Sequence, residues 1–313
     1  MNKPLISVLI PAFNCERFIR QSLESILNQT YHHLEVIVCD DASTDNTWRI
    51  LCSYSDSRLK LYQNKENKGV VNTKNFLLSM STGDYLAFQD ADDWSECNRI
   101  EIQLKAFFSD PSLNACCTSY NRIDHKGNQT ALISSGDAYL DFTNYNKIAF
   151  CPNSLLIRSS VYKQVGGLHA FFSGLHGEDM YWLSRIISGN KCLFLNMPLY
   201  YYRFNENSIT NTFDNNNKLV AIELIEQLIL QRATEGTDWL ERNDKDAIDG
   251  FIKTKLNNKK WLAEKYRIFA AVQRDGRKNK ISRELIFRAL RLNPWNAMTY
   301  RTLAYILLSR SHK

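Results

Sequence analysis

The first hundred residues alternate between short apolar runs and stretches in which apolar residues recur at helical spacing. Ile6–Ile10, Leu34–Asp40, Leu59–Gln63 and Tyr85–Gln89 are apolar and often β-branched, which predicts buried strands. Between them, Arg17–Gln29, Thr44–Tyr54 and Val70–Met80 predict helices, the second opened by Ser43 or Thr44 ahead of Asp45. Strand and helix in this rhythm predict an α/β fold, a mostly parallel sheet flanked by helices on both faces. Tyr181–Ile187, Lys218–Ala233, Ile281–Leu292 and Trp295–Leu308 also carry helical spacing, so a helical C-terminal region is expected.

Parallel sheets gather functional groups at the carboxyl ends of their strands. The first predicted strand ends in Pro11-Ala12-Phe13-Asn14, the second in Asp40-Asp41-Ala42-Ser43-Thr44-Asp45, and the fourth in Asp90-Ala91-Asp92-Asp93. Two clusters of three aspartates are therefore expected on one edge of one sheet.

Composition changes this picture little. Hydrophobic residues at 44%, with only six prolines and twelve glycines, belong to a folded chain rather than a linker. The apolar run Leu5–Ile10 is broken at Pro11, too short for a signal-peptide core, and nothing approaches the roughly 18 apolar residues of a membrane span. A cytoplasmic protein is the expectation. Eight scattered cysteines without a CxxC pair read as reduced, mostly core thiols, because a zinc site needs clustered ligands.

Charge changes it more. Residues 251–313 hold 16 Lys and Arg against 3 Asp and Glu, a local net of +13; with +6 over the whole chain, residues 1–250 carry −7. A basic tail on an acidic body points to an anionic partner. Nucleic acid is not expected, since Trp261, Tyr266, Trp295 and Tyr300 fall on apolar helices rather than among the basic residues. Peripheral contact with an anionic membrane face and a soluble helical cap remain as two readings of the tail.

Five blocks in order carry a resemblance: Pro11–Asn14, Asp40–Asp45, Asn67-Lys68-Gly69 through Lys74-Asn75, Asp90–Asp93, and Gly177-Glu178-Asp179. Over residues 5 to 205 the chain resembles the family 2 glycosyltransferases, which have the GT-A fold. The resemblance implies a GT-A-like domain over 1–212; the helical spacing and charge beyond it give a helical region over 213–313, basic from 251. It implies transfer of a hexose or N-acetylhexosamine from a UDP-sugar to a hydroxyl of a glycan or lipid-linked glycan, in assembly of surface polysaccharide or lipopolysaccharide.

By the same resemblance Asp92 ligates a divalent cation, Mn²⁺ or Mg²⁺, Asp90 contacts the ribose or metal waters, and Asp93 supports them. Asp41 accepts a hydrogen bond from the imide N–H of the base, and Phe13 lies beside that base. Pro11, Ala12, Asn14, Asn67 and Gly69 complete the nucleotide site. Lys74 stands where the family pattern has arginine, so it is either a point charge for the donor or a surface lysine. Asp179 is the implied catalytic base, Glu178 a candidate for acceptor contacts. Arg203 falls in Tyr200–Ser208, which resembles a Tyr-Arg-x-His-x-x-Ser element with Asn205 in place of the histidine. With no enzyme nucleophile, in-line displacement inverts the anomeric centre.

Each motif also has a plainer reading. Asp90–Asp93 can be a solvated turn ahead of a helix near Trp94–Asn98, Ser43 and Asp45 can cap a helix, and acids such as Asp179 favour helix N-termini. A lone His176 reads as structural. A sugar-nucleotide pyrophosphorylase or a dehydrogenase would need a glycine-rich loop after the first strand, where Pro11–Asn14 stands. A degenerate nucleotide-sugar-binding module of a glycan assembly complex is the non-enzymatic alternative.

Overall fold

A computed structural model describes residues 3–124, 128–132, 136–148, 150–203, 216–275 and 278–308, the side chain of Leu132 excepted. Asn205, Ser208 and the boundary expected at Thr212 lie outside the described residues. The chain divides into two compact units, Met1–Gly174 with Glu178–Phe204, and Leu175–Gly177 with Asn205–Lys313.

The first unit is built on a sheet of mostly parallel strands. In chain order it contains β1 Ile6–Ala12, α1 Ile19–Leu27, β2 Leu34–Asp40, α2 Thr47–Leu51, β3 Leu59–Gln63, α3 Val70–Met80 and β4 Tyr85–Phe88. There follow β5 Trp94–Ser95, α4 Arg99–Ser109, β6 Ala115–Ile123, β7 Gln129–Leu132, β8 Ala138–Leu140, β9 Leu156–Arg158, α5 Ser159–Val165, α6 Glu178–Ile187 and β10 Cys192–Arg203. The strand order is β3-β2-β1-β4-β9-β6-β10-β5, with β7 beside β6 and β8 beside β10. β3, β2, β1 and β4 run parallel; β9 reverses direction between β4 and β6, and β10 runs parallel to β6.

All seven residues of β2 are buried, as are six of seven in β1, because helices cover both faces. Pro11 sits near the end of β1 without breaking it. Leu9 accepts a backbone bond from Gln89 on the β4 side, and β4 pairing stops there, so Pro11 falls where its missing N–H has no partner to lose. α1 buries Ile19, Ser22, Leu23 and Ile26, the i, i+3, i+4, i+7 stripe of an amphipathic helix.

α2 begins at Thr47, three residues after the expected start. Residues 43–46 are engaged in bracing the loop after β1: Ser43 Oγ accepts from Asn14 N (2.9 Å), Thr44 N donates to Asn14 Oδ1 (2.8 Å), and Asp45 Oδ2 accepts from Glu16 N (3.0 Å). Trp94–Ser95 pairs with Tyr200–Tyr201 as strand, so the helix after Asp90–Asp93 starts only at Arg99.

The second unit is helical: α7 Asn217–Glu235, α8 Lys245–Asn257, α9 Lys259–Asp275, α10 Asn279–Leu292 and α11 Ala297–Leu308. Leu219, Leu262, Tyr266, Ala270, Leu285, Ile286, Ala289 and Ile306 form its core. Gly236, at φ 75°, ends α7 in the left-handed conformation that favours glycine. Trp295 was expected on a helix but stands in the turn before α11, 92% exposed. No helix among the described residues is long and apolar enough to cross a membrane. All eight cysteines are free thiols, six buried, with Cys52 and Cys97 exposed.

One close approach fixes how α3 feeds β4. A Cβ on Gly83 would stand 2.7 Å from both N and Oγ of Ser7 and 2.8 Å from Leu5 O. Gly83→Ala is expected to lower the unfolding free energy by about 1–3 kcal/mol through overpacking, measured by urea unfolding; an unchanged midpoint would show that the start of β1 can move.

Candidate active site

The carboxyl ends of β1, β2 and β4 lie on one edge of the sheet, as the register Ala12↔Asp40 and Leu9↔Phe88 requires. Asp90, Asp92 and Asp93 follow β4, and a carboxylate oxygen from each lies within 4.8 Å of the others. Burial pushes the Asp90 carboxyl up to about 6, Lys74 opposing the rise and Asp92 and Asp179 adding to it. Asp93 is raised well above the carboxylate range by burial and by Asp92 and Asp90. Like charges packed this closely favour a proton or a cation among them. Three hard oxygen donors fit a divalent cation of the Mg²⁺ or Mn²⁺ kind.

Three neighbours, Tyr200, Ser22 and Arg203, hold the acidic loop in place. The Tyr200 hydroxyl donates to Asp93 Oδ2 (3.0 Å) and accepts from Asp90 N (3.1 Å). Ser22 Oγ on α1 donates to Asp90 O at 2.9 Å. Arg203 N donates to Asp93 Oδ1 (2.8 Å), and its Nε donates to Asp92 O (3.0 Å). The Arg203 guanidinium sits 4.6 Å from the ring centroids of both Phe18 and Trp94, and Trp94 stacks on Tyr201 at 4.8 Å. Arg203 thus braces the loop from the end of β10 and lies beside the acidic group.

Lys74 is no surface lysine. It is buried on α3, with Nζ 3.2 Å from Asn153 Oδ1 and 3.8 Å from Asp90 Oδ1. Burial alone would lower its ammonium; Asp90, Glu178 and Asp179 outweigh that and hold it at about 12. The amide of Asn153 also donates to Asp90 Oδ2, so one side chain links cation and carboxylate. Asn75, the next residue after Lys74, binds Leu168 through both its amide atoms at 2.8 Å. α3 therefore fixes both the acidic group and the loop leading toward α6.

Asp179 lies in the first turn of α6, where Asp179 Oδ1 accepts from Met180 N at 2.7 Å. α6 is docked by Trp182, which donates to Gly166 O (2.8 Å) and meets Phe88 edge-on at 5.4 Å. Asp179 shares a narrow cleft with Lys74 and Asn153, walled by Phe88, Leu168 and Trp182. Burial and the neighbouring Asp179 push Glu178 up to about 7, with Lys74 opposing.

A second group lies along the edge. Asp41 Oδ1 accepts from Asn64 Nδ2 (2.7 Å) and Lys68 N (2.9 Å), and its Oδ2 accepts from Gly69 N (2.9 Å). Asn67 Oδ1 also accepts from Gly69 N, at 3.0 Å, and Gly69 takes φ 81° to open α3. Asp41 thus organises the loop before α3, and its Oδ2, with one bond, retains a lone pair for a further donor. Asp40 is fully buried, and its Oδ1 has no hydrogen-bond partner. Pro11 and Ala12 close β1, Phe13 is 47% exposed, and Asn14 takes φ 47° to turn the chain toward residues 43–45.

The Glycosyl transferase family 2 profile matches residues 7–166, a little over half the chain and the stretch that contains both acidic strand ends. The chain is a family 2 glycosyltransferase. The transferase is 34% identical over 221 residues to EpsE of Bacillus subtilis (strain 168), which bears a glycosyltransferase name; the match spans 68% of this chain and 79% of EpsE. It is 33% identical over 215 residues to the Escherichia coli UDP-Glc:alpha-D-GlcNAc-diphosphoundecaprenol beta-1,3-glucosyltransferase WfaP, spanning 66% of this chain and 80% of WfaP. Among solved structures, S. aureus TarS 1–349 in complex with UDP-GlcNAc superposes with a TM-score of 0.61 at 18% identity, covering 97% of this chain and 90% of that one. That likeness establishes the fold.

Two residues of the transferase's rim escaped the sequence reading. Asn153 is a lone amide in a loop 63 residues from Asp90, and no periodicity marks it. Tyr200 is hidden in a run of three tyrosines: alternation along β10 puts Tyr200 and Tyr202 on one face, and it is the Tyr200 hydroxyl that bonds Asp93 and the backbone of Asp90.

The raised Glu178 carries a stability signature. Its folded carboxyl holds the proton up to about 7, against 4.5 for the ordinary group. Its contribution to stability is full below 4.5 and declines as pH rises to 7, because the folded state binds the extra proton in that window. The melting temperature of the wild type relative to Glu178→Gln should therefore fall across that interval in metal-free buffer. A difference that rises with pH would contradict the placement of Glu178 among carboxylates.

Proposed function

We propose that the transferase moves a hexose or N-acetylhexosamine from a UDP-sugar to a hydroxyl of a glycan acceptor with inversion, in surface polysaccharide or lipopolysaccharide assembly. The observation that carries this reading is the joint placement of the Asp90, Asp92 and Asp93 group, Lys74 and Asp179 around one cleft edge. The names of WfaP and of the TarS complex support UDP-sugar as the donor class, and WfaP supports a lipid-linked diphosphate sugar as acceptor.

In this reading Asp92 is the cation ligand, aided by Asp90 and Asp93, for Mn²⁺ or Mg²⁺. A divalent ion there would offset the negative charge that develops on the leaving diphosphate. Lys74 supplies a fixed positive charge on the same side, oriented by Asn153. Pro11–Asn14, Asp41, Asn67 and Gly69 form the nucleotide end, Asp41 accepting from the base imide. Asp90 serves the ribose side of the acidic group as well.

Asp179 takes the proton of the acceptor hydroxyl as its oxygen bonds to the anomeric carbon. The bond from that carbon to the diphosphate oxygen breaks on the opposite face, and its electron pair leaves with the nucleotide. An α-linked donor then gives a β-linked product, the linkage in the WfaP name. Glu178, protonated more readily than an ordinary glutamate, is placed to donate a hydrogen bond to the acceptor. Arg203 serves the acceptor or diphosphate side through the loop it braces. The catalytic part is residues 1–212, and 213–313 is a helical part whose basic residues from 251 onward draw it to the anionic inner face of the membrane.

Two substitutions test the assignments. Asp179→Asn should reduce transfer by about 10³-fold or more while UDP binding stays within a few-fold; retention of transfer would remove Asp179 as the base. Asp92→Ala should weaken Mn²⁺-dependent UDP binding by about tenfold or more in calorimetric titration. Unchanged affinity would end its role as a ligand.

A further inference from the structure

α11 is turned inside out relative to an ordinary amphipathic helix. Its fully buried residues are Thr299, Thr302 and Ile306, two of the three polar, with Leu303 half-buried against the same core. Its outward residues include Met298 at 48% exposure, Tyr300 at 50%, Leu307 at 54% and Leu308 at 78%. Trp295, in the turn that leads into it, is 92% exposed, and Phe287 on α10 is 49% exposed. Single exposed apolar residues are ordinary, but a helix that buries threonines and presents leucines to solvent needs a partner for its outer face.

The chemistry of that partner follows from what surrounds the apolar residues. Between residues 278 and 308 there are six Lys and Arg and one acidic residue, Glu284, which accepts from Arg288. Arg283, Arg291 and Arg301 are exposed on the same two helices. A protein partner need not be anionic, and a nucleic acid offers no apolar layer for leucine. An anionic bilayer offers both: phosphates for the arginines, an interface for tryptophan and tyrosine, and acyl chains for leucine. α11 has twelve residues, and no helix among the described residues is long and apolar enough to cross a membrane, so the helix would lie along the surface.

We propose that the α10–α11 turn and the outer face of α11 insert shallowly into an anionic membrane, with Trp295, Leu307 and Leu308 in the apolar boundary and the arginines at the phosphates. This extends the reading of a transferase whose acceptor is carried on a lipid, and it replaces a purely electrostatic contact by insertion. The two modes differ in salt dependence, because screening weakens charge attraction and leaves apolar insertion largely intact.

The test is flotation of the full chain with vesicles of phosphatidylcholine alone or with about 30% phosphatidylglycerol, without donor or metal. Wild type should float with the anionic vesicles, and a bound fraction should persist at about 0.5 M salt. The variant Trp295→Ser with Leu307→Ser and Leu308→Ser should partition about tenfold less or worse, with its circular dichroism and UDP-sugar hydrolysis unchanged. Wild type that fails to float, or a variant that floats as well as wild type, overturns the proposal. So does a wild-type dimer in solution that the variant breaks, since that face would then join two copies. Hydrolysis measured on the same preparations reports the catalytic reading separately, so either can fail alone.

Discussion

Three carboxylates held within 4.8 Å of one another at the end of a buried strand repel, and the surrounding structure opposes that repulsion. α1 binds the loop through Ser22, β10 through Tyr200 and Arg203, and α3 through Lys74, whose charge Asn153 steers onto Asp90. None of these contacts neutralises the group: Asp90 and Asp93 remain harder to ionise than ordinary aspartates. The group could hold a divalent cation, and the buried Lys74 beside it already supplies part of the opposing charge.

The sheet explains why such a group can form far from any local sequence pattern. Parallel strands β1, β2 and β4 deliver three loop ends to one edge, and the reversed β9 brings the Pro152–Ser154 turn back beside β4. α6 then closes the cleft from a position fixed by Trp182 on Phe88 and by Asn75 on Leu168. Asp179, the buried Lys74 and the acidic group thus depend on contacts between segments that are about a hundred residues apart.

Much of this was legible in the sequence, for physical reasons. β1, β2 and β4 are buried, so their apolar runs announce them; Leu34–Asp40, Leu59–Gln63 and Val70–Met80 fall where the pattern put them, although β3, expected to be buried, is the half-exposed edge strand, paired only with β2. The aspartates were visible because charge at the end of an apolar run is conspicuous. Less legible were β5, β7, β8 and β9, each two to four residues long and too short for any periodicity. Asn153 and Tyr200 act through tertiary contacts that no local pattern encodes, and the start of α2 was displaced because Ser43, Thr44 and Asp45 brace the loop after β1. In the helical unit the spacing located α7, α10 and α11, but it could not tell that α11 turns threonines inward and leucines outward.

Anomalous diffraction from crystals grown with Mn²⁺ and UDP puts the acidic rim to the most direct trial. The account predicts a single strong peak among the side chains of Asp90, Asp92 and Asp93, with the diphosphate between that peak and Lys74. A peak elsewhere on the chain, or UDP bound away from Asp41 with the rim empty of manganese, would contradict it.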